Sequence, residues 1–363
     1  MPSPTRSEAR DTPVETAATP RRFDGRLVSR IGVPVLLALA LGAAMVMAIG
    51  FGTVAVAPPT VLRVVLAHTV GGAGTDPLSD QIVWQFRAPR VVLAALVGAA
   101  LGLAGACLQT LVRNPLADPY LFGVTSGASL GAVLAMTGIV WVTGTLGVTG
   151  CAFVGAMLSL LVVFVLAQRG GQVRGADLVL AAIAVSYLGT AVTSYLQLRA
   201  KPAELRGVMF WLLGSLSSAD WNDLIAPAVA VAAALLVLPA RAQAMNALTL
   251  GDDTTAGLGV HPNRLRLLLL LVSALLTATA VAVAGGIGFV GLIVPNAARL
   301  LAGPDHRRTL PIVTLGGALF LVLVDLAART VDRPNEIPIG IITAVLGAPA
   351  FLVLLRRRRE VAS

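Results

Sequence analysis

The sequence predicts an all-α membrane protein, a polytopic helix bundle of about ten transmembrane helices with both termini in the cytoplasm. Three observations lead there. The 363 residues are 56% hydrophobic with a mean hydropathy of +0.86. Only 12% are charged, against about a quarter in a soluble domain. Apolar runs near the roughly 20-residue length that crosses a bilayer recur along the chain. An ordinary cytosolic enzyme and a disordered regulator are both excluded.

Residues 1–30 are rich in Pro, Thr, Glu and Arg and read as a disordered cytoplasmic tail. They hold no apolar core of a cleavable signal. Spans are expected at 31–51, 91–111, 121–140, 146–167, 178–198 and 224–239, then at 265–284, 288–302, 310–330 and 337–355. The eighth is short and is expected to break at Pro295. In the second, Ala94, Gly98, Gly102 and Ala106 recur every four residues, with Gly105 beside them. That spacing lets backbones approach closely, and it reads as the seam of a tight bundle. The membrane domain is taken as 31–357 and a C-terminal cytoplasmic tail as 358–363.

Arginine orients the bundle. With the N-terminus inside, inner segments and span ends hold 19 basic residues, including the run from Arg356 to Arg359, and outer ones hold 8. Cytoplasmic loops carry the excess of basic residues, so both termini lie inside. The net charge of +9 thus records topology and not nucleic-acid binding. Lys201 is the single lysine, and it follows Ala200 and precedes Pro202. A phosphate-binding P-loop needs lysine after glycine. The chain therefore has no such loop, and any ATP is bound by another subunit. Two cysteines, Cys107 and Cys151, and three scattered histidines, His68, His261 and His306, give no metal constellation. They read as buried thiols and loop histidines, and no cofactor is expected.

Charges inside spans are functional candidates because they are costly there. Asp325 is the main one, with Arg329 one helical turn away to neutralise it. Asp118, Asp177, Asp252 and Asp253 fall in inner loops and are expected to be solvated. Arg87, Arg90 and Arg329 stand at the outer ends, where topology does not explain them. They anchor lipid headgroups or pair with carboxylates of an external protein. The inner connection from Leu248 to Val260 exceeds what a bare connector needs. Its Leu250, Ala256 and Leu258, bounded by Gly251 and Gly259, suit short amphipathic helices on the membrane face, with a docking role.

Several motifs resemble a known family. They are Arg87-Ala-Pro-Arg90, the glycine-rich run from Val97 to Gln109, Arg113-Asn-Pro-Leu-Ala-Asp-Pro119 and the stretch from Gly123 to Gly131. Phe210 to Leu216, Gly285 to Pro295 and Glu336 to Pro349 continue the pattern. Together they resemble the permease subunit of ATP-driven importers for ferric siderophores, haem and cobalamin, over about residues 31–357. The resemblance implies a ten-span subunit in the cytoplasmic (inner) membrane that dimerises, with a second copy or a paralogue, around a substrate pathway. Two cytoplasmic ATP-binding subunits and an extracytoplasmic substrate-binding protein complete the assembly. Arg87, Arg90 and Arg329 match the arginines that dock the binding protein. Leu250, Gly251, Asp252, Asp253, Ala256, Leu258 and Gly259 match the loop that couples to the ATPase. Asn114 and Leu116 match the cytoplasmic gate, and Gly288, Gly291, Pro295 and Asn296 the broken helix beside the pathway. Asn296 departs from the family, which usually has histidine there, so a protonation-dependent role is lost at that position.

The implied activity is import by alternating access, without catalytic residues of the chain's own. A ferric siderophore is the first expected substrate, with haem or cobalamin behind it. Two other classes compete. An ion-driven secondary transporter would rely on Asp325, and a membrane scaffold would carry no flux.

Overall fold

The computed structural model describes residues 25–52, 56–71, 76–140, 144–169, 172–173 and 175–362. Helix α1 (Gly25–Gly50) is followed by α2 (Pro58–Leu66) and α3 (Pro77–Asp80). A π-helical stretch, Gln81–Arg87, joins α3 to α4 (Ala88–Val112) as one 36-residue helical segment, Pro77–Val112. Next come α5 (Val124–Met136), α6 (Gly144–Ala167), α7 (Gly175–Arg199), α8 (Pro202–Leu212) and α9 (Ile225–Leu250). The chain ends with α10 (Asp252–Gly257), α11 (Pro262–Ala284), α12 (Val290–Ala302), α13 (His306–Thr330) and α14 (Ile339–Ala362). Two two-residue strands, Gln168–Arg169 and Gln172–Val173, pair antiparallel between α6 and α7.

Among the described residues, seven helices are long and apolar enough to cross a membrane, and three shorter apolar ones accompany them. These correspond in order to the ten expected runs. The tail reading of residues 1–30 falls mostly outside the described residues, but α1 already begins at Gly25. Residues 358–362, expected as a tail, continue α14. Arginine is a good helix former, so the basic run extends the helix instead of ending it.

The core is organised around α4. Within its segment 83% of the most apolar window is buried, against 17% for α1. Helices α13, α11, α12, α9 and α1 all contact α4. Glycine makes that crowding feasible. A methyl at Gly98 would strike the carbonyl oxygen of Gly317 on α13, and one at Gly105 would strike that of Gly291 on α12. The small-residue face is therefore filled from within the chain. The same device joins α5 to α6, where Gly127 and Gly155 meet and Gly131 lies against Cys151. Gly105→Ala is expected to lower stability by about 1–3 kcal/mol through overpacking. Thermal unfolding in detergent, compared with the Gly32→Ala variant, which has open space around it, measures this directly.

Three unwound helix ends meet at one point. Ser215 N–H donates to the Ala284 carbonyl at 2.9 Å. Ile339 and Gly340 N–H donate to the carbonyls of Gly214 and Leu213, both at 3.0 Å. Irregular backbone at membrane depth requires such internal partners. Gly214 and Gly285 take left-handed φ of +78° and +70° there, which glycine adopts without a side-chain clash.

The expected break at Pro295 is displaced. The chain is unwound from Gly285 to Phe289, and α12 then runs unbroken through Pro295. Proline has no N–H for the carbonyl four residues earlier, that of Gly291. The side chain of Gln109 on α4 supplies the missing donor to this oxygen at 2.9 Å. Of the residues expected at the break, Gly288 lies within it, whereas Gly291, Pro295 and Asn296 belong to α12.

Candidate functional site

The polar residues gather in three places. The first cluster surrounds the C-terminal end of α1. Arg87 Nη1 donates to the carbonyls of Ile49 (2.9 Å) and Gly50 (3.0 Å). Arg329 Nη2 donates to Ala48 O at 3.1 Å. The last carbonyls of a helix lack partners within the helix, and cations near them are favourable. These two arginines supply both. Arg90 Nε binds Asp325 Oδ1 at 2.9 Å, and its two terminal nitrogens fork onto Glu336 at 3.0 and 3.1 Å. Arg329 Nη2 lies 3.0 Å from Asp325 Oδ2, an ion pair without hydrogen-bond alignment.

The three arginines expected to face an external partner are thus turned inward, each 8% exposed. Asp325 is fully buried between Arg90 and Arg329. Sequence spacing suggested the Arg329 pair, but the Arg90 contact spans 235 positions and left no local signal. Glu336 is the outlying member, its side chain 42% exposed.

The second cluster is the connection built around α10. Gly251 and Gly259, both with positive φ, set its ends. Asp252 accepts from Arg266 Nη2 at 2.7 and 3.0 Å and pairs with Arg113 at the end of α4. Partial burial opposes ionisation of Asp252, but Arg266 and Arg113 outweigh it and hold the carboxyl below its usual range. Asp252 is therefore a tether and not a freely solvated loop charge. Asp253 and Ala256 are exposed, as are Leu250 (77%) and Leu258 (64%). The two leucines line a groove of about 390 Å³ against the end of α9.

The third cluster holds the turn after α4. Asn114 Oδ1 accepts from Leu116 N–H at 3.0 Å, which sets a side-chain-closed turn. Asn296 Nδ2 donates to Pro115 O at 2.9 Å and to Leu292 O at 2.7 Å. Gln109 Nε2 also reaches Ala117 O at 3.2 Å. Arg299 in turn holds Gln109 and Asn296 through their side-chain oxygens. The side chain of Leu116 lines a cavity of about 530 Å³ together with Phe289, Leu292 and Phe351. Asn296 thus positions the turn expected to act as the gate.

Asp118, expected to be solvated, is only 6% exposed and accepts from the N–H groups of Tyr120 (2.9 Å) and Phe289 (3.0 Å). It clasps the turn to the unwound segment, where Phe289 holds a left-handed φ of 68°. Burial pushes its carboxyl up to about 6 from 3.8, with the two N–H groups opposing. The folded state then binds the proton more tightly than the unfolded chain does. The contribution of Asp118 to stability is greatest below about pH 4 and falls as pH rises through about 6, by on the order of 3 kcal/mol. Asp118→Asn is expected to remove that slope, and thermal midpoints between pH 4 and 7 measure it.

His306, expected in a loop, is buried between α4 and α9. Its Nε2 is 2.8 Å from Thr110 Oγ1 and its Nδ1 2.6 Å from Asn246 Oδ1. Among the described residues, no group of three or more His, Cys, Asp or Glu forms a metal site.

Membrane-length apolar helices, with a tethered loop and a turn clasped to an unwound segment, define a polytopic helical membrane protein. The chain belongs to the FecCD transport family, whose model matches residues 35–357. This is the permease family of ATP-driven iron-chelate importers. The chain is 46% identical over 287 residues to the cobalamin import system permease protein BtuC of Halobacterium salinarum, covering 78% of this chain and 76% of that one. It is 36% identical over 316 residues to the hemin transport system permease protein HmuU of Yersinia pestis, covering 83% and 94%. A solved structure of a metal-chelate type ABC transporter in an inward-facing conformation superposes with a TM-score of 0.78 at 32% identity. It covers 90% of this chain and 99% of that one.

Proposed function

We propose that the chain is the permease subunit of an ATP-driven importer that moves a metal chelate into the cytoplasm by alternating access. The family match across nearly the whole membrane domain carries this reading. In it, the chain crosses the cytoplasmic membrane ten times with both termini inside. It pairs with a second copy or a paralogue, and two cytoplasmic ATP-binding subunits seat Leu250 and Leu258. Closure of those subunits pushes on α10. Its tether through Asp252 to Arg113 and Arg266 carries the push to α4 and α11. The turn at Asn114 and Leu116, held by Asn296, closes the inner end. Because asparagine does not titrate, Asn296 holds the turn through hydrogen bonds alone.

On the outer side, an external substrate-binding protein docks above Arg87, Arg90 and Arg329. Since Glu336 occupies the fork of Arg90, a docking carboxylate has to displace it. Ferric siderophore is the first substrate assigned. Cobalamin is the second, favoured by the 46% identity to a permease named for it. The ion-driven alternative needs Asp325 as an unpaired charge in the membrane, whereas Asp325 is paired with both Arg90 and Arg329. Proteoliposomes holding the chain with its ATP-binding subunits test the reading. Accumulation should require ATP and survive collapse of the proton gradient. Uphill uptake that persists without ATP and vanishes with the gradient would falsify it.

A further inference from the structure

A cavity of about 420 Å³ opens between α9 and α11. Arg241 of α9 lines it together with His261 and Arg264 at the start of α11, beside Val260, Leu265 and Leu268. Among the described residues no Asp or Glu lines it. Arg241 and Arg264 are exposed, and neither forms an ion pair or a side-chain hydrogen bond with another described residue. Arg113, Arg266 and Arg299, at the same end of the bundle, are all engaged within the chain. Topology accounts for arginine at this end. It does not account for two helices aiming unpaired arginines at one cavity that holds no carboxylate.

The depth of the cavity follows from helix length. The segment Trp221–Leu250 has 30 residues, more than the roughly 20 that cross the hydrocarbon core. From Leu224 to Ala240 it carries no charge, and Arg241 comes next. Arg241 thus stands about 20 residues from Trp221, at the boundary between hydrocarbon and headgroups. On α11, Arg264, Leu267, Leu268, Leu271 and Leu275 share one face by their spacings of three and four residues. Leu267, Leu271 and Leu275 are 42%, 52% and 37% exposed. An uncovered apolar stripe therefore leads from the cationic cavity toward the bilayer centre.

We propose that this cavity binds an anionic phospholipid, its phosphate held between Arg241 and Arg264 and an acyl chain laid along Leu267, Leu271 and Leu275. A guanidinium meets phosphate oxygens with two parallel N–H donors, and His261 adds a ring N–H. Basic pockets between membrane helices at headgroup depth suit such lipids. The leucine stripe commits the site to a lipid. A free phosphate, or an acidic loop of a cytoplasmic protein, would engage the cations and leave the stripe unused. Val260 lines this cavity and also the groove beside Leu250 and Leu258. The bound lipid thus braces the connection from α10 to α11 on its membrane side. This goes beyond the importer reading and requires only that the chain lies in a bilayer.

The test uses the full chain, stripped of lipid in detergent, with dioleoyl phosphatidylglycerol, dioleoyl phosphatidylcholine and glycerol 3-phosphate as probes. Native mass spectrometry counts what stays bound. The wild type is expected to bind phosphatidylglycerol at least about 10-fold more tightly than phosphatidylcholine, and glycerol 3-phosphate should not displace it. R241Q/R264Q should lose about 10-fold in affinity for phosphatidylglycerol, with phosphatidylcholine binding and the lipid-free thermal midpoint unchanged. R264Q alone should show a smaller loss of the same kind. R307Q/R308Q removes equal charge at the start of α13 and should bind as the wild type does. Equal binding of the two lipids overturns the proposal. Equal losses in both double variants do so too, since they mean diffuse surface charge. Displacement by glycerol 3-phosphate would make this a site for free phosphate. If R241Q/R264Q keeps its lipid but no longer co-purifies with ATP-binding subunits, the arginines belong to a protein interface and the lipid site is removed.

Discussion

Asp325→Leu is expected to destabilise the protein by about 3–5 kcal/mol, the cost of leaving buried charges without their partner. Asp325 is fully buried and is the anion shared by Arg90 and Arg329. Its removal would leave the two buried guanidinium groups without the anion they share. Glu336 could keep one fork of Arg90, but its ion pair is with Arg90 and not with Arg329. Thermal unfolding in detergent measures the loss. A variant that replaces all three by apolar residues, D325L/R90M/R329M, should recover much of it, because well-packed apolar groups often substitute for a buried ion cluster without penalty. Unchanged stability of the single Asp325→Leu variant would mean that the cluster is hydrated and not buried.

L250E/L258E is expected to reduce ATP-driven uptake at least about 10-fold without changing the amount of folded protein in the membrane. Both leucines are largely exposed, so their replacement costs the fold little. Exposed apolar residues that sit together mark interaction sites, and α10 between them is anchored by Asp252. On the proposed reading, the substitution removes apolar contact with the ATP-binding subunits while the anchor stays. Co-purification of those subunits with the variant gives the direct readout. Undiminished uptake and co-purification would take these leucines out of the coupling surface.

The apolar helices were legible because bilayer-crossing runs carry the strongest pattern a sequence can show. The short helices α2, α3 and α8 were not, since they are neither long nor evenly apolar. The roles of charged residues were only half legible. Asp325 and Arg329 are neighbours on one helix, so spacing revealed their pairing. Arg90, Glu336 and Arg113 find their partners across long stretches of chain, and Arg266 meets Asp252 across the turn that joins α10 to α11; no local rule predicts either. Loop position suggested that Asp118 is solvated, but the turn folds back under the unwound segment and buries it. Pro295 suggested a break because its missing donor is readable, whereas the donor that compensates for it, Gln109, lies on another helix.

The meeting of Leu213–Ser215, Ala284 and Ile339–Gly340 restricts how the molecule can change shape. Sliding α14 along its own axis would break two main-chain hydrogen bonds. The end of α8, the end of α11 and the start of α14 must then travel as one piece. Gly340 against the Leu213 carbonyl leaves no slack for independent rotation either. Gly285 and Gly286 are packed into the same junction, against Trp211, Leu212 and Gly214, and the unwound run ends at the Asp118 clasp. On the importer reading proposed above, the junction is a fulcrum: a push delivered at α10 on one end of α11 is expected to arrive at the other end as a tilt shared by three helices.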